Sequence, residues 1–108
     1  MKNLITILLL FVVANITAQD LTLLHINAKW NTKNDYNLKG IDNVKVQKAF
    51  LEDQKASIKQ GITSVPVIIL LDKNGKPRGQ WKADLSFKIT IPKEEIQNRI
   101  NTVLFESR

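Results

Sequence analysis

The fold is decided by one stretch, Gly61-Ile-Thr-Ser-Val65-Pro66-Val-Ile-Ile-Leu-Leu71-Asp-Lys-Asn74-Gly75. Val67 to Leu71 is a run of five branched apolar residues between a proline and an Asn-Gly pair. Such a run is typical of a central strand that is buried on both faces. Because a proline cannot donate to a sheet ladder, Pro66 is expected at the mouth of this strand. Gly61 is expected to end a preceding helix in the left-handed conformation. Asn74-Gly75 predicts a type I′ hairpin turn.

The first residues are typical of a secretory signal peptide. Met1-Lys2-Asn3 is a short cationic start, Leu4 to Ala14 is almost wholly apolar, and Ala18 is a small residue suited to cleavage. A transmembrane helix needs about twenty apolar residues, and this run is shorter. We therefore predict a signal peptide over residues 1–19 and one domain over residues 20–108. The domain is expected to be exported by a bacterium, to the periplasm or outside the cell, without a transmembrane segment after cleavage.

The charge balance is basic, with 16 Lys and Arg against 10 Asp and Glu and a formal net charge of +6. Cleavage after residue 18 would remove only Lys2 from this total. A basic balance favours weak attraction to anionic surfaces, which outside the cytoplasm include lipopolysaccharide and acidic polysaccharide. The lysines are spread along the chain rather than clustered in a binding arm, so we expect no specific nucleic-acid partner.

The sequence contains no cysteine, which removes both disulfide staples and thiol chemistry. His25 is the only histidine, so no convincing metal site can be assembled from soft donors. No glycine-rich phosphate loop and no Ser-His-Asp arrangement has visible support. We therefore predict a protein that is not an enzyme and that binds neither a cofactor nor a metal.

Before the central stretch, the sequence predicts two strands and a short helix. Leu21 to Asn27 alternates as a first strand, with Leu23 and His25 on one side and Leu24 and Ile26 on the other. Residues 30–37, rich in Asn and Asp, predict a loop or a frayed helix start, and residues 38–43 predict a turn. Residues 44–51 suit a second strand whose last part is buried. Residues 52 and 53, both acidic, are expected to cap a helix over residues 54–60.

After the central stretch, the sequence predicts an edge strand and a closing helix. Trp81 is placed on the edge strand, where Pro77 is acceptable. Pro92 suits the first turn of the last helix. The core-facing stripe of that helix recurs at helical spacing and comprises Ile96, Ile100, Val103 and Leu104. The whole order is strand, loop, strand, helix, strand, hairpin, strand and helix, which predicts an α/β domain with a mixed sheet.

With this order, the residues resemble the thioredoxin family over nearly the whole predicted domain. Ile26-Asn-Ala-Lys-Trp30 resembles the end of the family's first strand before its Trp-Cys-x-x-Cys motif. Leu51-Glu-Asp-Gln54 resembles the end of the second strand. Gly61-Ile-Thr-Ser-Val65-Pro66 resembles the loop that ends in a cis-proline, and Asp72-Lys-Asn-Gly75 resembles the following hairpin.

Two departures from the family pattern matter. Asn31-Thr-Lys-Asn34 stands where the family has Cys-x-x-Cys, and an amide has no thiolate form, so disulfide exchange is excluded. In addition, only residues 35–43 separate this site from the second strand, where the family has a long helix. We therefore predict a thioredoxin-like fold in which that helix is shortened or missing and one sheet face is less covered.

The resemblance also implies a binding surface. In the family, the residue before the cis-proline presents its backbone to an extended peptide, which requires no cysteine. By resemblance, Val65 and Pro66, with Trp30 beside them, would hold a peptide or an envelope protein. The predicted function is a non-redox binding or structural module. The alternatives are a basic module that binds anionic polymer and an accessory partner of a thiol-disulfide oxidoreductase; the oligomeric state is left open.

Overall fold

The computed structural model describes residues 21–106, so the signal peptide predicted over residues 1–19 lies outside the described part. Four strands form one mixed sheet in the order β2-β1-β3-β4. Their bounds are β1 Thr22–Asn27, β2 Lys45–Phe50, β3 Val67–Leu71 and β4 Pro77–Lys82. β1 is parallel to β2 and antiparallel to β3, and β3 is antiparallel to β4. The predicted α/β mixed sheet is therefore confirmed.

Two α-helices and two 3₁₀ helices connect and close the sheet. Their bounds are Lys29–Asn34 (3₁₀), Leu51–Asp53 (3₁₀), α1 Ala56–Gly61 and α2 Lys93–Glu106. The predicted stripe of α2 is confirmed, because Ile96, Ile100 and Val103 are each at most 1% exposed. No helix between residues 21 and 106 has the length and apolar character needed to cross a bilayer.

The core lies on both faces of β1 and β3, whose residues are all buried. The alternation predicted for the first strand is confirmed, because its odd and even apolar residues belong to different clusters. The α2 face contains Leu21, Leu23, Leu38, Ile68, Leu70, Ile89, Ile96, Ile100 and Val103. The opposite face contains Leu24, Ile26, Val67, Ile69 and Leu71. The continuous apolar run of β3 supplies both clusters, as a central strand must.

The prediction that the second strand ends in a buried part is wrong. β2 is an edge strand whose residues alternate between half-buried and exposed, and Phe50 is 39% exposed. The cause is the short connection after β1, where the six-residue 3₁₀ helix Lys29–Asn34 replaces a long helix. The predicted loss of cover is thus observed on β2, where Val46 is also 40% exposed.

Two predicted helix signals have other roles in the structure. Gly61 does not adopt a left-handed conformation; it is the last residue of α1, and the chain becomes extended at Ile62 (φ −108°). Glu52 does not cap the helix that follows it, since α1 begins after Lys55 without a side-chain cap. Both carboxylate oxygens of Glu52 instead accept the Lys29 N–H, at 2.9 and 3.0 Å.

The hairpin between β3 and β4 is also different from the prediction. A type I′ turn needs positive φ at both central residues, whereas here Gly75 (φ 78°) is positive and Asn74 is not. The Gly75 N–H donates to the Asp72 carbonyl at 2.9 Å, so the turn is of type I followed by a left-handed glycine. The Asp72 carboxylate decides this geometry, because Oδ1 accepts the N–H groups of Asn74 and Lys76, each at 2.9 Å.

Candidate functional site

The sheet brings the predicted site residues to one end of its two central strands. Because β1 and β3 are antiparallel and Ile26 is opposite Val67, the end of β1 meets the start of β3. Trp30, Asn31 and Asn34 lie on the 3₁₀ helix just after β1. Val65 and Pro66 come directly before β3.

Asn31 is a buried structural residue, with 2% of its surface exposed. Its Nδ2 donates to Asn27 Oδ1 at 3.0 Å and to the Phe87 carbonyl at 3.1 Å. Its Oδ1 accepts a hydrogen bond of 2.7 Å from Asn34 Nδ2. Both protons and the oxygen of the Asn31 amide are therefore used within the fold.

The Asn31–Asn34 hydrogen bond joins the two positions where the resemblance expects a pair of thiols. It links residues three apart across a 3₁₀ helix that is kinked at Asn31 (φ −114°, ψ 17°). A neutral amide pair contributes about 0.5–1.5 kcal/mol through such a bond and transfers no electrons. The two motif positions are thus joined by a neutral hydrogen bond.

Asn27 extends this network, and its role was not predicted from the sequence. Its Nδ2 donates to the Asn31 carbonyl at 2.9 Å and to Asp35 Oδ1 at 2.7 Å. Its Oδ1 accepts the Ala28 N–H at 2.9 Å, as well as the Asn31 amide. The available signal was a polar residue at the end of a wholly apolar strand, because a buried amide requires partners.

His25 is packed inside the protein, with 1% of its surface exposed. Its Nε2 accepts the Tyr36 N–H at 3.0 Å, which requires this nitrogen to be unprotonated. Burial lowers the pKa of His25 below its ordinary value, and the nearby carboxylate of Asp35, 4.0 Å from Nε2, opposes that shift only in part. A small cavity of about 90 Å³ adjoins the imidazole and is lined by His25, Asn27, Asp35, Lys48, Ala49 and Phe50.

We expect His25 to make the protein less stable in mild acid. Because the pKa is lowered from 6.5 on folding, the unfolded chain binds more protons than the folded chain between the two values. The stabilisation from neutral His25 is therefore complete above pH 6.5 and declines as the pH falls towards the folded-state pKa. Urea unfolding at several pH values measures this decline, with His25→Gln as the non-titrating control. Parallel stability curves for the two proteins would contradict the assignment.

An exposed apolar surface lies beside the buried network, and we call Trp30, Leu85 and Phe87 the aromatic patch. Trp30 is 64% exposed and Leu85 is 98% exposed. The Trp30 and Phe87 rings meet edge to face, with centroids 5.1 Å apart and an interplanar angle of 86°. This geometry is favourable for aromatic pairs, so it holds the exposed Trp30 ring in a defined orientation.

Residues 83–88 connect the aromatic patch to the proline loop. At one end, the Ala83 N–H donates to the Pro66 carbonyl at 3.0 Å. At the other, the Phe87 carbonyl accepts the Asn31 amide, and Phe87 has a positive φ of 63°. Between them, Asp84 accepts hydrogen bonds from Ser86, which lower the pKa of Asp84. Trp30 and Pro66 are thereby held to the same short segment.

The backbone before the proline is available for pairing. The Val65–Pro66 peptide bond is cis, and Val65 as a whole residue is 6% exposed. Within residues 21–106, neither the N–H nor the C=O of Val65 has a hydrogen-bond partner. A donor and an acceptor on one residue are the two groups with which an extended peptide pairs.

Solved structures with a similar fold include two thioredoxins. Trichomonas vaginalis thioredoxin matches with a TM-score of 0.59 and 20% identity, over 92% of this chain and 90% of that one. A mutant thioredoxin from Halobacterium salinarum NRC-1 matches with a TM-score of 0.58 and 15% identity, over 78% of this chain and 74% of that one. This chain has a thioredoxin-like fold. No protein-family model matches the sequence, and no curated protein matches it.

The thioredoxin-like fold therefore carries a site made of amides, backbone groups and aromatic rings. The chain has no cysteine, and the amides at both motif positions are hydrogen-bonded inside the protein. The part of the chain that the structure describes contains no group of three or more His, Cys, Asp or Glu residues suited to a metal ion. The same end of the sheet also carries the Val65 backbone groups and the aromatic patch.

Proposed function

We propose that the chain is an exported, non-redox module of the bacterial envelope that binds an extended peptide along the Val65–Pro66 loop. The observation that carries this proposal is the Val65 backbone, whose N–H and C=O have no partner within residues 21–106. A peptide in an extended conformation pairs with both groups at once, in the manner of a short added strand. Val65 is packed among its neighbours as a whole residue, so the loop holds its backbone in a fixed position.

The aromatic patch supports the same proposal by supplying apolar contact next to the backbone groups. Two backbone hydrogen bonds contribute about 1–3 kcal/mol in total, which is too little for a stable complex. Tryptophan side chains frequently dominate binding energies because they bury a large apolar area with little loss of conformational entropy. Trp30 is already oriented by Phe87, so an apolar peptide side chain packs there without reorganising the site.

Export is supported by the sequence of the first residues. The proposal of a non-redox module is supported by the lack of cysteine in the sequence. The cationic start and apolar run of residues 1–19 are typical of a secretory signal peptide. Asn31 and Asn34 keep the local structure of the motif without a thiol. A module of this kind would bind a peptide at the loop before the cis-proline, as the resemblance to thioredoxins implies, without the two reactive cysteines of that family.

We expect Trp30→Ala to weaken peptide binding by about tenfold. The matched control is Phe105→Ala, since Phe105 is an aromatic residue with 74% of its surface exposed on the separate helix α2. The probe is an eight-residue unstructured peptide of alternating Leu and Ser, titrated by calorimetry into the full chain, expressed with its own N-terminus. Phe105→Ala should leave the affinity within about twofold of the unsubstituted protein.

Equal affinity for the Trp30→Ala and unsubstituted proteins would contradict the proposed site. Binding of an anionic polysaccharide that weakens steeply with salt, without any peptide binding, would favour the alternative of a polymer-binding module. A titration at two salt concentrations separates the two results, because apolar and backbone contacts depend only weakly on ionic strength.

A further inference from the structure

We propose a second binding site at the outer edge of β2, which accepts an acidic, extended strand from a partner protein. The inference does not depend on the peptide site at Val65. That site precedes β3, and β1 lies between β2 and β3 in the sheet. It rests on three observations: the β2 edge lacks the features that prevent pairing at the β4 edge, alternate β2 backbone groups point away from the sheet, and β2 carries two lysines.

The two edges of the sheet differ in how well they are protected against pairing. β4 begins with Pro77, and a register shift between Leu70 and Leu71 interrupts its pairing with β3. Proline and irregular pairing are common devices that prevent an edge from adding another strand. β2 has no proline, no glycine and an unbroken register with β1 over Lys45–Phe50. Its edge is therefore regular enough to pair.

The outward groups of β2 follow from one hydrogen bond. The Lys45 N–H donates to the Leu21 carbonyl at 3.0 Å, so residue 45 directs its backbone groups towards β1. Since successive residues of a strand point to opposite sides, Val46, Lys48 and Phe50 direct theirs outward. The Phe50 carbonyl accepts Gln54 Nε2 at 3.1 Å. Within residues 21–106, the N–H and C=O groups of Val46 and Lys48 have no partner.

The side chains of the same residues form an apolar–cationic–apolar row. Val46 and Phe50 are 40% and 39% exposed, and the side chain of Lys48 between them is 57% exposed. The ammonium group of Lys29 lies 5.5 Å from the centroid of the Phe50 ring at one end, where it also forms an exposed ion pair of 3.2 Å with Asp53. Cross-strand neighbours interact directly in a sheet, so this row selects for apolar residues alternating with an acid.

Charge decides which partner fits. Lys45 and Lys48 are the charged residues of β2, and the chain as a whole carries +6. Asp35 lies 3.6 Å from the Lys48 ammonium and offsets it in part, but the pair is exposed and weak. A second copy of the chain would place the same two lysines against these ones, which is unfavourable. Lys45 and Lys48 lie on opposite faces of the sheet, so a partner strand with an acid on each face gains from both lysines.

The test titrates the full chain with the hexapeptide Val-Thr-Glu-Thr-Val-Glu, whose alternate side chains place Val, Glu and Val on one face and an acid on the other. Binding is followed by amide shifts in NMR spectra. We expect saturable shifts at Val46, Lys48 and Phe50, and no binding of the matched peptide in which both Glu residues are replaced by Lys. Val46→Pro removes one outward N–H without touching the ladder to β1, and should weaken binding by about tenfold. Trp30→Ala, which probes the separate peptide site, should leave this binding unchanged.

A second pair of variants keeps the test independent of how well Val46→Pro folds. Lys45→Gln should weaken binding of the acidic peptide several-fold, whereas Lys76→Gln, which removes one positive charge from the hairpin at the far side of the sheet, should not. Equal binding of acidic and basic peptides would overturn the proposal. Shifts confined to Trp30 and Val65 would also overturn it. So would a dimer, detected by sedimentation, that Val46→Pro abolishes and that the peptides do not dissociate, because the occupant of the β2 edge would then be a second copy of the chain.

Discussion

Replacing Asn31 with alanine is expected to lower the free energy of unfolding by about 3 kcal/mol. The substitution removes three hydrogen bonds at a position with 2% exposure, and it leaves the Phe87 carbonyl and the Asn34 amide without their partner. Each polar group left unsatisfied in a buried site costs about 1–3 kcal/mol. Urea unfolding followed by tryptophan fluorescence measures the change.

Asn34→Ala is the matched control for this prediction, because it removes the same amide from the other motif position. Asn34 is half-buried and makes one side-chain hydrogen bond, to Asn31. Its loss breaks this one bond and leaves Asn31 Oδ1 without a donor, which should cost about 1–2 kcal/mol. If Asn31→Ala were no more destabilising than Asn34→Ala, the view that Asn31 has become a structural residue would be wrong.

The second large effect is expected at the centre of the sheet, where Leu70→Ala should cost about 2–5 kcal/mol. Leu70 lies on β3 with no exposed surface and packs in the cluster beneath α2. Truncation removes buried apolar area and leaves a cavity that neighbouring strands cannot fill. Thermal or urea unfolding measures the loss, and the slope of the urea transition should stay the same if the folded state keeps its compactness.

Leu85→Ala is the control, since it deletes the same atoms from a leucine that is 98% exposed. Its effect on stability should lie within about 0.5 kcal/mol. Because Leu85 belongs to the aromatic patch, the same variant is expected to weaken the Leu-Ser peptide by a few-fold. A leucine that matters for binding but not for folding would mark this patch as a functional surface. Equal destabilisation by the two substitutions would contradict the assigned core.

The sequence predicted the fold best where a run or a periodic stripe of apolar residues marks a buried element. The apolar run Val67–Leu71 predicted a central strand, and the stripe on α2 predicted its buried face; both are confirmed. These patterns are visible because the burial of apolar side chains is the dominant favourable contribution to folding. The buried positions also recur with the period of the helix or strand. The short connection of residues 35–43 similarly predicted that no long helix follows β1.

The polar details of the site were not predictable in the same way. The partners of Asn31 lie at Asn27, Asn34 and Phe87, and the last of these is 56 residues away in the chain. Such contacts form between segments that are distant in the chain. The periodicity of apolar residues does not show which of these segments meet. Glu52 illustrates the same limit, because an acidic residue before a helix usually caps that helix, yet here it binds the Lys29 N–H.

The turn after β3 shows how a neighbouring side chain changes a local rule. An Asn-Gly pair between two strands favours a two-residue turn. In this protein the Asp72 carboxylate accepts two backbone N–H groups and stabilises a longer loop, with Gly75 alone in the left-handed region. The strand pairing was predicted, whereas the turn type was decided by a side chain two residues before Asn74.

A thioredoxin-like fold persists in this chain without the reactive residues of the motif. A cysteine pair contributes a reaction, whereas the Asn31–Asn34 pair contributes hydrogen bonds that hold the 3₁₀ helix to β1 and to the Phe87 segment. The free backbone of Val65 and the exposed ring of Trp30 are unaffected by this exchange, because neither depends on sulfur. The proposed binding groups are therefore independent of the residues at the two motif positions.

The most direct test of the proposed function is the Val65 amide itself. The full chain, labelled with ¹⁵N, is titrated with the Leu-Ser peptide while the shift and the hydrogen-exchange rate of each amide are recorded. We predict that the Val65 N–H moves downfield and exchanges more slowly at saturation, together with a shift of the Trp30 indole N–H, because the peptide supplies the missing acceptor. A saturated complex in which the Val65 amide neither shifts nor gains protection would contradict the proposed peptide site.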